Sequence, residues 1–218
     1  MSDLARAIAA ECERLGLDIP AEATQRLAAY AASLWLWNER LNLTRHTDVE
    51  KFVSRDVADA AAIGLQLARG EHVLDVGTGG GVPGALLAIL RPDLRVELCD
   101  SVAKKARAVR EIVKEAGLSL PVHEAAGQAV VKAAAARGER FDTLVVRAVA
   151  PLVKLLSWFE PIAGDFGRLL VVKGPRWEDE KGEARHKGFA KKVMVRRIAA
   201  WPIRGSDNES VLLEIRPR

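Results

Sequence analysis

Apolar positions recur at helical spacing along the first third of the chain and in short runs thereafter. Leu4, Ile8 and Leu15 mark a first short helix, and Leu27, Tyr30, Leu34 and Trp37 mark a second over residues 21–39. A turn-rich stretch, NERLNLTRHTD, interrupts the pattern. Thr47 with Glu50 three residues later makes a capping box, and a third helix follows with Val49, Phe52, Val53, Val57, Ala60 and Ile63 on one face, ending near Gly64. From residue 70 the texture changes to HVLDV, RVELCD, LPVHEA, DTLVVRA and RLLVVKG, with helical stretches between them. That alternation predicts βαβ units and a parallel sheet buried on both faces. After a charged segment with no clear helix, KKVMVRRIAAW and SVLLEIR read as two more strands forming an antiparallel hairpin. The expected organisation is an N-terminal helical cap, residues 1–66, on an α/β domain, residues 67–218. The alanine run 133–136 reads as surface helix.

Composition narrows the class. At 218 residues, 49% hydrophobic and with mean hydropathy near zero, the chain can bury a sizeable core. No apolar run approaches the ~20 residues of a membrane helix. Acids are threaded through MSDLARAIAAECERLGL, so no signal peptide is expected. Cys12 and Cys99 stand far apart without a CxxC partner, which points away from disulfides and metal sites and toward a reducing cytoplasm. A net charge of +4 permits a polyanionic partner without requiring one.

Chemistry concentrates in VLDVGTGGGVPG, residues 73–84, which holds five glycines and one ionisable side chain, Asp75. Gly79-x-Gly81-x-x-Gly84 fits a dinucleotide fingerprint between a strand, VLDVG, and a helix, PGALLAIL. Glycines there let backbone N–H groups approach a ligand and tolerate positive φ, and Pro83 suits a first helical turn. A tight turn needing glycine for geometry alone has the same appearance. Asp100 adds to the ligand reading. It ends the second strand, where an acid accepts hydrogen bonds from both ribose hydroxyls of either NAD or S-adenosylmethionine. Asp75 either braces the loop or meets the amino group of a methionine moiety, and Cys99 reads as core sulfur. A dehydrogenase also needs a proton relay. The single tyrosine, Tyr30, lies in the cap, and none of His46, His72, His123 and His186 has a relay context.

Further stretches carry a family resemblance: DVGTGGGVPG, Asp100-Ser101 followed by Lys104-Lys105, Val146-Arg147-Ala148-Val149, Lys173-Gly174-Pro175, and WNERLNLT from Trp37 to Thr44. Together they resemble the RsmG (GidB) family over roughly residues 27–216. The resemblance implies a class I S-adenosylmethionine-dependent methyltransferase, a Rossmann-like doubly wound, mostly parallel seven-stranded sheet with an N-terminal helical appendage. It also implies methylation of N7 of a guanosine in 16S ribosomal RNA. Two patterns depart from the family. Its His-x-x-Asp-Ser reads here Asp56-Val57-Ala58-Asp59-Ala60, and its Arg-x-Glu after the third strand reads Gly127-Gln128-Ala129.

Guanine N7 carries a lone pair and no proton, so transfer to it needs no general base. The sparse polar content then suffices, with catalysis resting on alignment and electrostatics. Arg147, at the end of the fourth strand, could hold the methionine carboxylate, an RNA phosphate or guanine O6, or simply cap a strand. Lys173, ending the fifth strand, has the same options. Asn42 either reaches across from the cap or makes an Asx turn.

The expected catalytic set is thus Arg147, Lys173 and Asn42. The expected cofactor-binding set is Asp75, Gly77, Gly79, Gly81, Val82, Asp100, Gln128, Ala129 and Arg147, for S-adenosylmethionine. Expected RNA contacts are Arg45, Arg55, Lys104, Lys105, Arg107 and Arg110, with 185–197 as a further basic segment. The expected partner is 16S RNA, the 30S subunit or an assembly intermediate, approached by a cytoplasmic monomer without membrane contact. Two rivals remain open: a non-catalytic RNA- or ribosome-binding protein retaining the fold, and a nicotinamide-dependent oxidoreductase.

Overall fold

A computed structural model describes residues 1–204 and 207–218. The cap opens with α1 (Asp3–Arg14) and α2 (Ala21–Leu41). It closes with one continuous helical run made of α3 (Val49–Lys51), a wider π-helical turn (Phe52–Val57) and α4 (Ala58–Gly64). Its N-cap is Asp48, which accepts the Lys51 N–H at 2.8 Å, rather than the expected Thr47. Carboxylates and hydroxyls both serve at this position, and the acid lies one residue closer to the first turn.

Strands and helices then alternate: β1 (His72–Val76), α5 (Gly84–Leu90), β2 (Arg95–Cys99), α6 (Ala103–Glu115), β3 (Val122–His123), α7 (Gly127–Ala136), β4 (Phe141–Arg147), α8 (Leu152–Phe159) and β5 (Phe166–Lys173). A helix, α9 (Trp177–His186), occupies the charged segment where none was expected. Only Ala184 of it is buried, so it has no apolar stripe to read. Acids in its first turn and bases in its last instead match the helix dipole. β6 (Val193–Pro202) and β7 (Glu209–Pro217) complete the chain as the expected antiparallel pair.

The strand order is β3-β2-β1-β4-β5-β7-β6, with β1 to β5 parallel and β7 running against both β5 and β6. The pleat sends successive side chains to opposite faces. Val73, Val145, Leu170 and Leu212 pack under α5, α6 and the cap helices. Leu74, Leu144, Val171 and Leu213 pack under α7, α8 and α9. Ile8, Leu27, Leu34 and Phe52 of the cap belong to the first of these clusters, so cap and sheet share one apolar core. Among the described residues no helix is long and apolar enough to cross a membrane. In this doubly wound arrangement the order reverses between β1 and β4, and ligands of such sheets bind at the carboxyl ends of the strands flanking that point.

Candidate cofactor and substrate cleft

A cleft of about 1290 Å³ opens at that edge, between the ends of β1, β2, β4 and β5 on one side and the cap loop 42–46 on the other. The glycine loop forms its floor, and Asp75 is the loop's anchor. Its Oδ2 accepts from Thr78 Oγ1 at 2.6 Å and from the Gly84 N–H at 2.8 Å. Glycine is required at 84 because a Cβ would lie 2.3 Å from Leu98 Cδ2 and 2.7 Å from Asp75 Cβ. Gly79 is required for another reason: its φ of +59° is costly for other residues, although a Cβ there would meet nothing closer than 4.0 Å. Pro83 precedes α5 as its N-cap instead of lying within the first turn.

The cap presses directly on this loop. Tyr30 of α2, fully buried, donates to the Gly80 carbonyl at 2.8 Å. A Cβ on Gly80 would stand 2.6 Å from Leu34 Cδ1. Burial, with Asp56 and Asp75 close by, holds the Tyr30 phenol well above its ordinary pKa. At the rim, Asp100 accepts the Gly79 N–H at 3.0 Å through Oδ2 and the Val102 N–H at 2.8 Å through Oδ1. Each oxygen keeps a further lone pair for a ligand hydroxyl. Cys99 is buried, its thiol pushed up to about 12 by burial, as suits core sulfur.

The cleft wall holds a largely buried charge cluster that the sequence reading did not assemble. Arg147 donates to Asp56 Oδ1 at 2.5 Å and pairs with Asp59 Oδ2 at 3.1 Å. Asp56 Oδ1 also meets His46 Nδ1 at 2.7 Å, and Asp59 Oδ1 accepts from Trp201 Nε1 at 2.9 Å. Burial works against the Arg147 charge, but the two carboxylates more than offset it, so the guanidinium stays protonated. Burial pushes Asp59 upward, with Arg147 opposing. His46 therefore has an acidic partner after all. The sequence hid it because the two residues are joined only by the fold of the cap loop.

Three buried side-chain polar atoms of the described residues lack a hydrogen-bond partner: Asp56 Oδ2, Arg147 Nη1 and Asp75 Oδ1. Arg147 lines the cleft, while Asp56 and Asp75 are fully buried behind its wall. Burial raises Asp75 to about 6 despite its bonds from Thr78 and Gly84. A cationic ligand group at Oδ1 would relieve that cost. The glycine cradle and the Asp100 rim face the cleft, whereas Asp75 is fully buried behind the loop and would reach a ligand only if the loop shifted.

Most of the expected residues converge here. Asn42, Arg45, Arg55, Gly77, Gly79, Val82, Asp100, Lys105, Arg147 and Lys173 all line the cleft. Asn42 is the left-handed C-cap of α2, and the turn after it is held by Asn38, whose Oδ1 accepts the Thr44 N–H at 2.8 Å. Lys173 is tied to the Ala150 carbonyl and to Glu180, each at 2.7 Å. Arg45, Arg55 and Lys105 make no ion pair among the described residues.

Others stand apart from the cleft lining, Asp75 among them, since its side chain is turned into the loop and fully buried. Gly81, at φ +106°, lies against Tyr30 and Val109. Gln128 and Ala129 belong to the first turn of α7. Gly127 before them is fixed by packing, since a Cβ would lie 2.6 Å from Val76 Cγ1. Lys104 is exposed on α6, Arg107 pairs with Glu124 at 3.2 Å, and Arg110 donates to the Val122 carbonyl at 2.8 Å.

The fold is shared with solved structures of low sequence identity. A mutant of MtNAS in complex with S-adenosylmethionine superimposes with a TM-score of 0.56 at 18% identity, covering 100% of both chains. TrmK of M. capricolum with S-adenosyl-homocysteine gives 0.54 at 13% identity, covering 72% of this chain and 67% of that one. Sequence relatives are nearer. The ribosomal RNA small subunit methyltransferase G of Rhodopirellula baltica is 44% identical over 191 residues, 88% of this chain and 80% of the relative. Its counterpart in Cronobacter sakazakii is 36% identical over 183 residues, 83% and 84% of the two chains. Residues 23–204 match the family described as GidB, rRNA small subunit methyltransferase G. With that match spanning most of its length and with this cleft at its strand ends, the chain belongs to the GidB family.

Proposed function

We propose that the chain methylates N7 of a guanosine in 16S ribosomal RNA, using S-adenosylmethionine. The observation that carries the cofactor is the glycine floor beside Asp100 at the strand ends. At Gly77 and Gly79 the protein backbone could approach it closely, Asp100 would accept from its ribose hydroxyls, and Asp75 would meet its ammonium group. When bound, it supplies a methyl group activated on a positively charged sulfur.

The chain's own task is then to bring guanine N7 into line, with no proton to remove. Arg147 is held between two carboxylates, which suits a fixed hydrogen-bonding fork at the strand edge better than a free cation. Lys173 and Asn42 line the same cleft and complete the catalytic set. Arg45, Arg55 and Lys105 are the cations at the mouth best suited to RNA phosphates. Residues 1–66 act as the RNA-reading cap of the methyltransferase domain, residues 67–218. The substrate is 16S RNA as such or within a 30S particle, met by a monomer in the cytoplasm.

His46 with its Asp56 partner favours one competing reading, transfer to a proton-bearing atom such as an exocyclic amine or ribose hydroxyl, for which the imidazole would be the base. Product mapping decides between them: 7-methylguanosine supports the proposal, and methyl on nitrogen or oxygen that began with a proton overturns it. Titration with S-adenosylhomocysteine, NAD and NADP separates both from an oxidoreductase. Cofactor binding without transfer to any RNA would leave the non-catalytic reading.

A further inference from the structure

We propose that Asp56 and His46 are positioning residues for methyl transfer, which hold the Arg147 guanidinium in register with the cap loop. This rests on the reading of the cleft as a methyl-transfer site. A single oxygen, Asp56 Oδ1, takes both His46 Nδ1 at 2.7 Å and Arg147 Nη2 at 2.5 Å. His46 in turn is fixed within its loop, since its carbonyl accepts from Trp35 Nε1 at 2.8 Å and its N–H donates to Thr44 Oγ1 at 3.0 Å. A rigid path therefore runs from the cap loop at the cleft mouth, through one carboxylate oxygen, to the side chain at the end of β4.

Stability alone does not account for such a cluster. Two carboxylates share one guanidinium in a place where Asp56 is 0% and Asp59 3% exposed. Replacing buried ion clusters with apolar side chains is often neutral or stabilising, so anchoring the cap does not require them. The hydrogen bonding is also incomplete: Asp56 Oδ2 has no hydrogen-bond partner, and Arg147 Nη1 is held only by its ion pair with Asp59 Oδ2 at 3.1 Å. Asp56 lies in the π-helical turn Phe52–Val57, a departure from regular helix that often accompanies function. The arrangement fixes direction. A guanidinium clamped on two sides cannot swing away when an RNA base arrives, and small misplacements at a transfer site are costly in rate.

The test is a double-mutant cycle on kcat with RNA substrate, alongside S-adenosylhomocysteine affinity and thermal melting. Asp56→Asn keeps the size of the side chain but removes its charge. It is expected to lower kcat about tenfold or more, with cofactor Kd within about threefold of wild type. In combination with Arg147→Lys it should add little to the loss caused by that change alone, because both act through the same guanidinium. His46→Asn, at the half-buried loop position, should lower kcat by a smaller factor that likewise vanishes in the Asp56→Asn background.

Losses that multiply in the double variants would overturn the proposal. So would wild-type kcat in both Asp56→Asn and His46→Asn, or a loss in Asp56→Asn that only follows the folded fraction while His46→Asn turns over normally. If the wild-type protein binds cofactor but methylates no RNA, the functional reading itself fails, and this proposal with it.

Discussion

Replacing Asp75 by asparagine should move stability and ligand affinity in opposite directions. The carboxyl is fully buried and raised to about 6 from an ordinary 3.8, chiefly by loss of water. That difference corresponds to about 3 kcal/mol of preference for the protonated form in the folded state. Because the folded value lies above the unfolded one, the group favours folding when protonated. Its contribution is lost as pH rises from about 4 through about 6. At pH 7 the apo protein therefore carries an ionised, half-satisfied carboxylate. In Asp75→Asn, the amide oxygen can still accept from Thr78 and Gly84 without that charge. The variant should melt roughly 6–12 °C higher at pH 7, at about 2–4 °C per kcal/mol for a chain of this size, and the gain should fade below pH 4. S-adenosylhomocysteine should bind more weakly, because the amide presents N–H groups where Oδ1 would meet an ammonium. Wild-type affinity should rise with pH through about 6, and the variant should lose that dependence. Scanning calorimetry and isothermal titration from pH 4 to 8 measure both. A variant that binds as tightly as wild type, with the same pH profile, would remove Asp75 from the cofactor site. One that melts lower at pH 7 would refute the burial-cost reasoning.

Three other substitutions probe the same loop. Tyr30→Phe leaves the Gly80 carbonyl without its partner and should cost about 1–3 kcal/mol in urea unfolding, with a several-fold weaker cofactor; unchanged values would show that the cap does not brace the loop. Gly84→Ala places a methyl 2.7 Å from Asp75 Cβ, which cannot swing aside, and should destabilise by at least about 1–3 kcal/mol in the same assay. A neutral result there would mean that α5 shifts freely against β1. Asp100→Ala should weaken S-adenosylhomocysteine by about 1.5–3 kcal/mol, and it should also lower the melting temperature because Gly79 and Val102 lose an acceptor. Unaltered affinity would exclude Asp100 from the ribose site.

The sheet and the cofactor loop were legible in the sequence because their signals are local. HVLDV, DTLVVRA and RLLVVKG are short, β-branched-rich apolar runs of the kind buried strands need, and glycine at 77 and 79 permits the positive φ the loop adopts there. α9 was not legible, since a helix that buries only Ala184 leaves no period to detect. Nor were Tyr30 and Gly80 legible as partners, because their contact joins residues fifty apart through tertiary packing. The Asp56 cluster did leave a trace. Asp56 and Asp59 interrupt an otherwise apolar face running through Phe52, Ala60 and Ile63, and acids buried among such residues require a buried cation. The trace said that a partner exists without saying which arginine it is. Gln128 and Ala129 were placed by register with a family pattern absent from this chain, and the fold puts them outside the cleft lining.

The central claim is most directly tested by incubating the purified protein with labelled S-adenosylmethionine and 16S RNA, free and in 30S particles, and mapping the product by mass spectrometry. One 7-methylguanosine per RNA at a single site is expected, with a rate that falls steeply as salt is added because phosphate contacts release counterions. Methyl on an exocyclic amine or a ribose oxygen, or no transfer to any form of the RNA by a protein that binds the cofactor, would contradict it.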